Sequence, residues 1–539
     1  IRSHRYNYYA RQISPNGFVV GIKSKQEKYN KLLDLKLEIN KPNHHITELY
    51  ADWFKKTFNL NLTEEETLPK IDIPAKWLQE IIKGWYLVVK PDLPKGDSSP
   101  WYASFWDFLR IYLHHHFENQ YCLSAENSLD LHTGSTTIPN QVIVISPSGG
   151  GSAKNLPFQT SLFIYADPKN IPEERVSLQG LQVMSLSYAL CKVSSSYFQK
   201  NPQEAEIALR LIRNASELSQ ILLKYNFKTA AARILGAYQF LGNNQMKEEL
   251  QHDLSLAGWK IKEENPFTQA MPLISSTRIK SPYVARIFSL WKEQRERIIP
   301  YFPPPSKLPK NKKTYLTQLE DIYGKDAYNS LSIEGYQVDE TLIERVRNNR
   351  WNPDENPQDR EERNALAARG YYEAFEEVKK SINLVFQGNN SGDVAEKDLK
   401  KWFQKLFAPM VRAGIIRPED LLGYRKAQVF IRNSRYVPLP REALPDAMET
   451  LFECLKNEPH PAVRAVLGHY IFGFVHPYMD GNGRIGRFLM NTMFVSGGYP
   501  WTIVQVKNRK KYLNSLEQIV TEQNMEPFAS YISEEMQNP

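Results

Sequence analysis

HPYMDGNGRIGR, residues 476–487, is the stretch on which this sequence turns. PAVRAVLGHYIFGFV (461–475) before it and FLMNTMFV (488–495) after it read as buried helices. A turn between two helices needs one Gly or Asn; this one carries three glycines, an Asn, an Asp and two arginines. Gly481 and Gly483 allow backbone N–H groups to converge on one spot, an anion-sized nest. The nest runs into the first turn of a helix starting near Arg484, where unpaired donors and the positive end of the macrodipole favour an anion. Arg484 and Arg487, three apart on that helix, reach one polyphosphate together. Asp480 is an oxygen ligand beside the phosphates, of the kind Mg²⁺ takes. Asn482 offers a neutral amide donor, and His476 is placed to take a proton from an incoming hydroxyl. A plain DGNG turn with surface arginines leaves that combination without a reason. The loop reads as one that holds a nucleotide and deprotonates an attacker.

The chain around it has 539 residues, more than one core usually supports, so two to four domains are expected. It is 42% hydrophobic and 24% charged, a globular balance. No run of eighteen uninterrupted apolar residues is available to cross a bilayer, so no membrane partner is expected. A net charge of +8 suits a nucleic-acid or phosphate partner without demanding one. Cys122, Cys191 and Cys454 lie far apart with no CxxC spacing. They form neither a disulfide framework nor a zinc site, which points to a reducing, cytoplasmic setting. The chain opens on Ile1, with its true start expected upstream, and nothing in view resembles a secretory signal. NLT (61–63), NAS (214–216) and NNS (389–391) are then chance sequons.

The strongest linker is PPPSKLPKNKK, residues 303–313, where consecutive prolines favour extended backbone and the basic residues favour water. The main boundary is placed there, as a 301–314 linker. Downstream the spacing predicts helices over 315–334, 362–385, 395–407, 443–456, 461–475, 484–497 and 508–521. AQVFIRNSRYVPLP (427–440) is predicted as a short β-hairpin flap around Asn433 and Ser434. The fold class is therefore mainly α: an all-helical domain over 315–539 with a β-hairpin flap, preceded by an α/β region.

At this point the resemblance is close. Residues 476–487 resemble the signature of the Fic family, HPFxDGNGRxxR, at every fixed position except Tyr478, where Phe is usual. The resemblance implies an adenylyltransferase that moves AMP from ATP to a Ser, Thr or Tyr hydroxyl of a target protein. It implies His476 as general base, Asp480 as the Mg²⁺ ligand, and Gly481, Asn482 and Gly483 as the cradle of the α-phosphate. Arg484 would hold the outer phosphates and Arg487 the γ-phosphate. The flap would present the target as an added strand, and Tyr512 in NRKKYLNSL occupies the place of a tyrosine near the adenine. NSLSIEG (329–335) is similar to the family's N-terminal inhibitory helix, [S/T]xxxE[G/N], through Ser330, Glu334 and Gly335. Glu334 would then pair with Arg487 where the γ-phosphate belongs, so that ATP lies in a pose unfit for in-line attack. Read without the family, the same stretch is a helix with an ordinary glycine C-cap. Together these matches cover about 310–535.

Residues 46–58, 73–83 and the β-rich WYLVV after Gly84 read as helix, helix and wing: a winged-helix-like domain over 1–130. An aromatic-rich helix is predicted over 101–117. QVIVISP and QTSLFIYA read as two strands joined by the hairpin loop SGGGSAKNLP, which lacks the order of a P-loop. With helices between 203 and 260, residues 131–300 make an α+β regulator-like domain. This half resembles AbiEi-type antitoxin regulators. Lys76 and Lys83 would share a face of a DNA-reading helix; a protein-docking winged helix is the alternative. His114–His116 point in different directions on a helix and read as a solvated face rather than a metal site. The partners left open are the modified protein, duplex DNA and a second copy of the chain in a homodimer. The rival functions are removal of AMP with Glu334 positioning water, and a DNA-binding regulator whose Fic part senses nucleotide.

Overall fold

The computed structural model of the chain describes residues 19–21, 78–89, 94, 96–274, 279, 281–306, 312–348 and 363–537. It is mainly helical, with small sheets confined to the N-terminal region. The chain forms two units. One runs to Pro272 and takes in Phe430–Val437; the other is Leu273–Val429 with Pro438–Pro539.

In the first unit, residues 78–83, the described part of the helix predicted over 73–83, belong instead to a β-hairpin. Strand β2 (Leu78–Ile82) pairs antiparallel with β3 (Trp85–Val88), and β1 (Val19–Gly21) pairs on the other side of β3. Lys83 and Gly84 make the two-residue turn, with Gly84 at φ 84°, a conformation glycine adopts without strain. Apolar residues at 77, 81 and 85 fit a helical period and a strand period alike. Burial of Ile81, Trp85 and Leu87 on one face of the sheet decides for the strand. Lys83 therefore sits in a turn, and no DNA-reading helix exists there; Lys76 and the stretch 46–58 lie outside the described residues.

Helix α1 (Ser99–Phe117) follows, burying Trp101, Phe105, Phe108, Leu109 and Tyr112. β4 (Cys122–Leu123), α2 (Ala125–His132), β5 (Gln141–Ser146), β6 (Ala153–Asn155) and β7 (Ser161–Ala166) build a second sheet of order β4-β5-β7-β6. The two strands predicted on either side of SGGGSAKNLP are present, but β5 and β7 run parallel. The hairpin is between β6 and β7 instead, because the glycine-rich segment crosses over before pairing. A ribbon of β8 (Arg175–Leu178) and β9 (Leu181–Met184) leads into six helices: α3 (Leu186–Lys192), α4 (Ser195–Lys200), α5 (Pro202–Leu211), α6 (Ser216–Lys224), α7 (Lys228–Phe240) and α8 (Asn244–Leu256). Their apolar faces enclose a core that includes Leu209, Leu222, Ile234 and Tyr238.

The segment 430–437 lies in this first unit. Ile138 N donates to Arg435 O at 2.9 Å and Val437 N to Thr136 O at 2.7 Å, around the bridge between Thr137 and Tyr436. The predicted flap does double back at Asn433, which has φ 58°. Its arms are tied by the Gln428 amide donating to Pro438 O at 2.6 Å rather than by a ladder, since Pro438 and Pro440 have no N–H to give.

The second unit contains α9 (Pro282–Ile298), α10 (Lys312–Ile333), α11 (Glu340–Arg347), α12 (Arg363–Phe386), α13 (Ser391–Arg412), α14 (Leu444–Asn457), α15 (Pro461–Val475), α16 (Asn482–Val495), α17 (Arg509–Glu522) and α18 (Glu526–Gln537). Each predicted helical span corresponds to one of these, while α9, α11 and α18 lie outside those spans. Pro303 O accepts from the Tyr499 hydroxyl at 2.6 Å and the Ser306 hydroxyl donates to Gly498 O at 2.9 Å, so the start of the proline-rich stretch is bonded to this unit. α15 is apolar nearly all round and is buried accordingly. α12 and α13 cross closely at Gly370, where a Cβ would stand 1.9 Å from Leu406 O. α15 and α16 pack together and present residues 476–481 between them.

Candidate functional site

His476 ends α15. Its backbone is left-handed, φ 51° and ψ 59°, and Pro477 cannot continue the helix. A non-glycine residue adopts that conformation only when neighbours hold it. Arg425 does so: its Nε donates to His476 O at 2.8 Å, its backbone N to Pro477 O at 2.8 Å and its Nη1 to Ala427 O at 2.9 Å. On the imidazole, Nδ1 lies 3.2 Å from Gly473 O. A carbonyl only accepts, so Nδ1 carries the proton and Nε2 keeps a lone pair for an incoming one. Burial lowers the ring's pKa to about 4. His476 is therefore neutral at pH 7, as a general base must be.

The loop beyond it is fixed by local bonds. Tyr478 stacks on Phe403 with centroids 3.7 Å apart. The Asn482 side chain accepts from Tyr478 N at 3.0 Å and donates to Tyr478 O at 2.8 Å. Its amide thus staples the loop to the first turn of α16. Gly481, at φ 85°, caps that helix, and a Cβ there would be 2.8 Å from the Phe407 ring. Asp480 is exposed; its Oδ1 accepts from Gly481 N at 2.6 Å and from Arg484 Nη2 at 3.2 Å.

Both arginines of the loop are buried. Arg487 donates through Nε to the Ser330 hydroxyl at 2.9 Å, and through Nη2 to Ser330 O at 3.0 Å and Glu334 Oε1 at 2.7 Å. Burial alone would raise the Glu334 carboxyl. The charges of Arg487, Arg484 and Arg509 outweigh it and hold the group below the usual carboxylate range. Arg487 feels the converse: burial would lower it, and Glu334 raises it. A Cβ on Gly483 would lie 2.1 Å from Glu334 Oε1. The carboxylate thus sits against the N-terminal turn of α16, where the nest was expected.

What brings Glu334 there is the end of α10. Gly335 has φ 88°; its N–H bonds Ser332 O at 3.0 Å, and that of Tyr336 bonds Leu331 O at 3.1 Å. This pair of bonds is a Schellman C-cap, and it needs a residue free to adopt the left-handed region. From the side, Arg509 Nε donates to Ile333 O at 2.8 Å and Val506 N to the Asn329 side chain at 2.8 Å. Tyr512 is buried one turn further along α17, and its hydroxyl meets Nε2 of buried His469 at 2.7 Å.

Ser330, Glu334, Gly335, Gly483 and Arg487 are therefore brought together, with His476, Asp480, Asn482 and Arg484 along the same loop. Arg425, Tyr336, Phe407 and Arg509 were not foreseen, because each acts through a contact far away in sequence and belongs to no local pattern. Among the described residues no group of three or more His, Cys, Asp or Glu is arranged to hold a metal. Asp480 alone suits the mode in which one carboxylate and substrate phosphates share Mg²⁺.

Residues 393–494 match the model of the Fic/DOC family. A probable protein adenylyltransferase of Aquifex aeolicus is 35% identical over 98 residues, 18% of this chain and 30% of that protein. Protein adenylyltransferase Fic of Aedes aegypti is 33% identical over 125 residues, 22% of this chain and 24% of that protein. The chain thus spans under a third of the length of these relatives. A solved fragment of Fic-1 from C. elegans overlaps 66% of this chain and 88% of its own length at 17% identity, with a TM-score of 0.34. A left-handed histidine, a stapled glycine loop and two buried arginines at one helix N-terminus occur within the matched residues, and the C-terminal part of this chain carries a Fic/DOC family domain.

Proposed function

We propose that this domain transfers AMP from ATP to a hydroxyl of a protein and that Glu334 restrains it. A Ser, Thr or Tyr oxygen attacks the α-phosphorus, Nε2 of His476 takes the hydroxyl proton, and pyrophosphate leaves. Arg484 and Arg487 balance charge on the phosphates at the α16 N-terminus. Asp480 would hold Mg²⁺, which supplies further charge neutralisation on the phosphates when bound. Tyr512, one turn into α17, is proposed to border the adenine. The observation that carries the reading is the position of Glu334. An anion already lies against Gly483 and bonded to Arg487, so the site is one that attracts negative oxygen, and its present occupant belongs to the protein.

Glu334→Gly tests this directly. The side chain of Glu334 is 28% exposed and that of Arg487 is 5% exposed. Arg487 keeps its two bonds to Ser330 when the carboxylate is removed, so the domain should stay folded while the γ-phosphate position opens. Incorporation of α-labelled AMP into the protein itself and into lysate proteins should rise, and Arg487→Ala should cancel the rise. Unchanged incorporation under saturating ATP and Mg²⁺ would sink the inhibitory role. Release of AMP from a pre-modified protein by the native chain, lost in Glu334→Gly, would instead assign the reverse reaction.

A further inference from the structure

Arg484 is the least satisfied charge in the site. Its side chain is fully buried, and among the described residues its one hydrogen bond is the 3.2 Å contact from Nη2 to Asp480. Nε and Nη1 have no acceptor among the described residues. A guanidinium stripped of water with open N–H groups is costly, and what offsets the cost here is aromatic. The Phe407 ring lies 5.1 Å from the guanidinium carbon and the Tyr336 ring 5.0 Å from it. Phe407 is buried on α13. Tyr336 is only partly buried, and it is placed by the Schellman cap that also ends the Glu334 helix. Arg363, at 5.9 Å, lies over the same ring.

We infer that Tyr336 is a second cover on the anion site, acting on Arg484 as Glu334 acts on Arg487. The inference rests on the nucleotide reading of this site and adds a residue to its regulation. Glu334 competes with a phosphate by charge. Tyr336 competes by burial: with its ring 5.0 Å from the guanidinium carbon, Arg484 Nε and Nη1 are closed to solvent, and a polyphosphate has to reach those N–H groups. The two flank Gly335 in one cap but touch different arginines, so removing one should leave the other in force. The ring matters rather than the hydroxyl, since the attraction comes from the aromatic face.

The test reads binding rather than transfer. In full-length protein carrying His476→Ala, ATP affinity is measured by calorimetry, with AMP as the ligand lacking outer phosphates. Tyr336→Ala should tighten ATP by about three- to tenfold, the size of one partly desolvated cation–π contact, and leave AMP nearly unchanged. Tyr336→Phe should bind like the parent. Tyr336→Ala combined with Glu334→Gly should tighten ATP further than Glu334→Gly alone, and the melting midpoint reports whether each variant is folded. Equal or weaker ATP affinity in folded Tyr336→Ala overturns the inference. So does a Tyr336→Phe variant that behaves like Tyr336→Ala. If affinity shifts as stated while Glu334→Gly with His476 restored transfers no AMP, the cover stands and the transferase reading fails. If Glu334→Gly transfers AMP and Tyr336→Ala leaves ATP affinity unmoved, the transferase reading stands and the cover fails.

Discussion

A base is useful only in its neutral form, and His476, the proposed base, reaches that form by burial. Its pKa lies near 4 rather than near the ordinary 6.5. The lowered value works in one direction: the ring stays unprotonated, and able to accept, until pH falls through about 4. The acid limb of kcat/KM for AMP transfer should therefore be flat from pH 8 to 5.5, with no inflection near 6.5. His476→Ala should lower transfer by about 10²–10⁴-fold while nucleotide affinity stays close to that of the native chain. An inflection near 6.5, or full transfer by the alanine variant, would remove His476 from the base role. The residue type and its place in the loop were legible in the sequence. The tautomer was not, because it depends on Gly473 O lying beside Nδ1. Nor was the backbone clamp by Arg425, which stands 51 residues upstream of the histidine.

At the scale of elements the site is only as good as the crossing beneath it. Leu406 and Phe407 of α13 line Gly481, and Phe407 also faces Arg484. α13 is held against α12 at Gly370, where an added Cβ would come 1.9 Å from Leu406 O. The obstacle is backbone, so no side-chain rotation relieves it; the two helices must separate. Gly370→Ala should cost about 1–3 kcal/mol or more, seen as a lower denaturation midpoint, and should weaken ATP binding because the Leu406 and Phe407 backing of Gly481 moves with α13. Unaltered stability would mean that the crossing is looser than the geometry states. The long helices were legible because their apolar spacing is strong and locally consistent. The β2–β3 hairpin was not. Its apolar residues at 77, 81 and 85 satisfy two periods, and only pairing with β1 and burial under α1 choose between them. The glycine-rich stretch after β5 failed for a similar reason: strands were visible, but parallel or antiparallel pairing is a property of the crossover.

Across the described residues of both units, six histidines share one bias. His115, His116 and His132 in the first unit, and His460, His469 and His476 in the second, are all lowered, in each case first by burial. A histidine held neutral in the native state and free to protonate when unfolded makes the unfolded state bind more protons between the two pKa values. Stability then rises with pH across that window. For His469 and His476 the window runs from about 4 to the ordinary 6.5. Glu334 contributes at the lower edge. Its depressed carboxyl stabilises above the unfolded carboxylate range, and that contribution is lost only as pH falls through its lowered value. The buried Asp326 works against this, since burial raises it despite its bond from the Tyr371 hydroxyl at 2.6 Å. The histidines outnumber it in the neutral-to-mildly-acid range. The thermal midpoint should therefore fall steadily from pH 7 to pH 5, before carboxylates titrate. His469→Gln should lower the midpoint at pH 7, through loss of its stack on Phe528 and its bond to Tyr512, yet flatten the slope below pH 6.5. A midpoint constant between pH 7 and 5, or a slope unchanged in His469→Gln, would show that these rings are hydrated and titrate alike in both states.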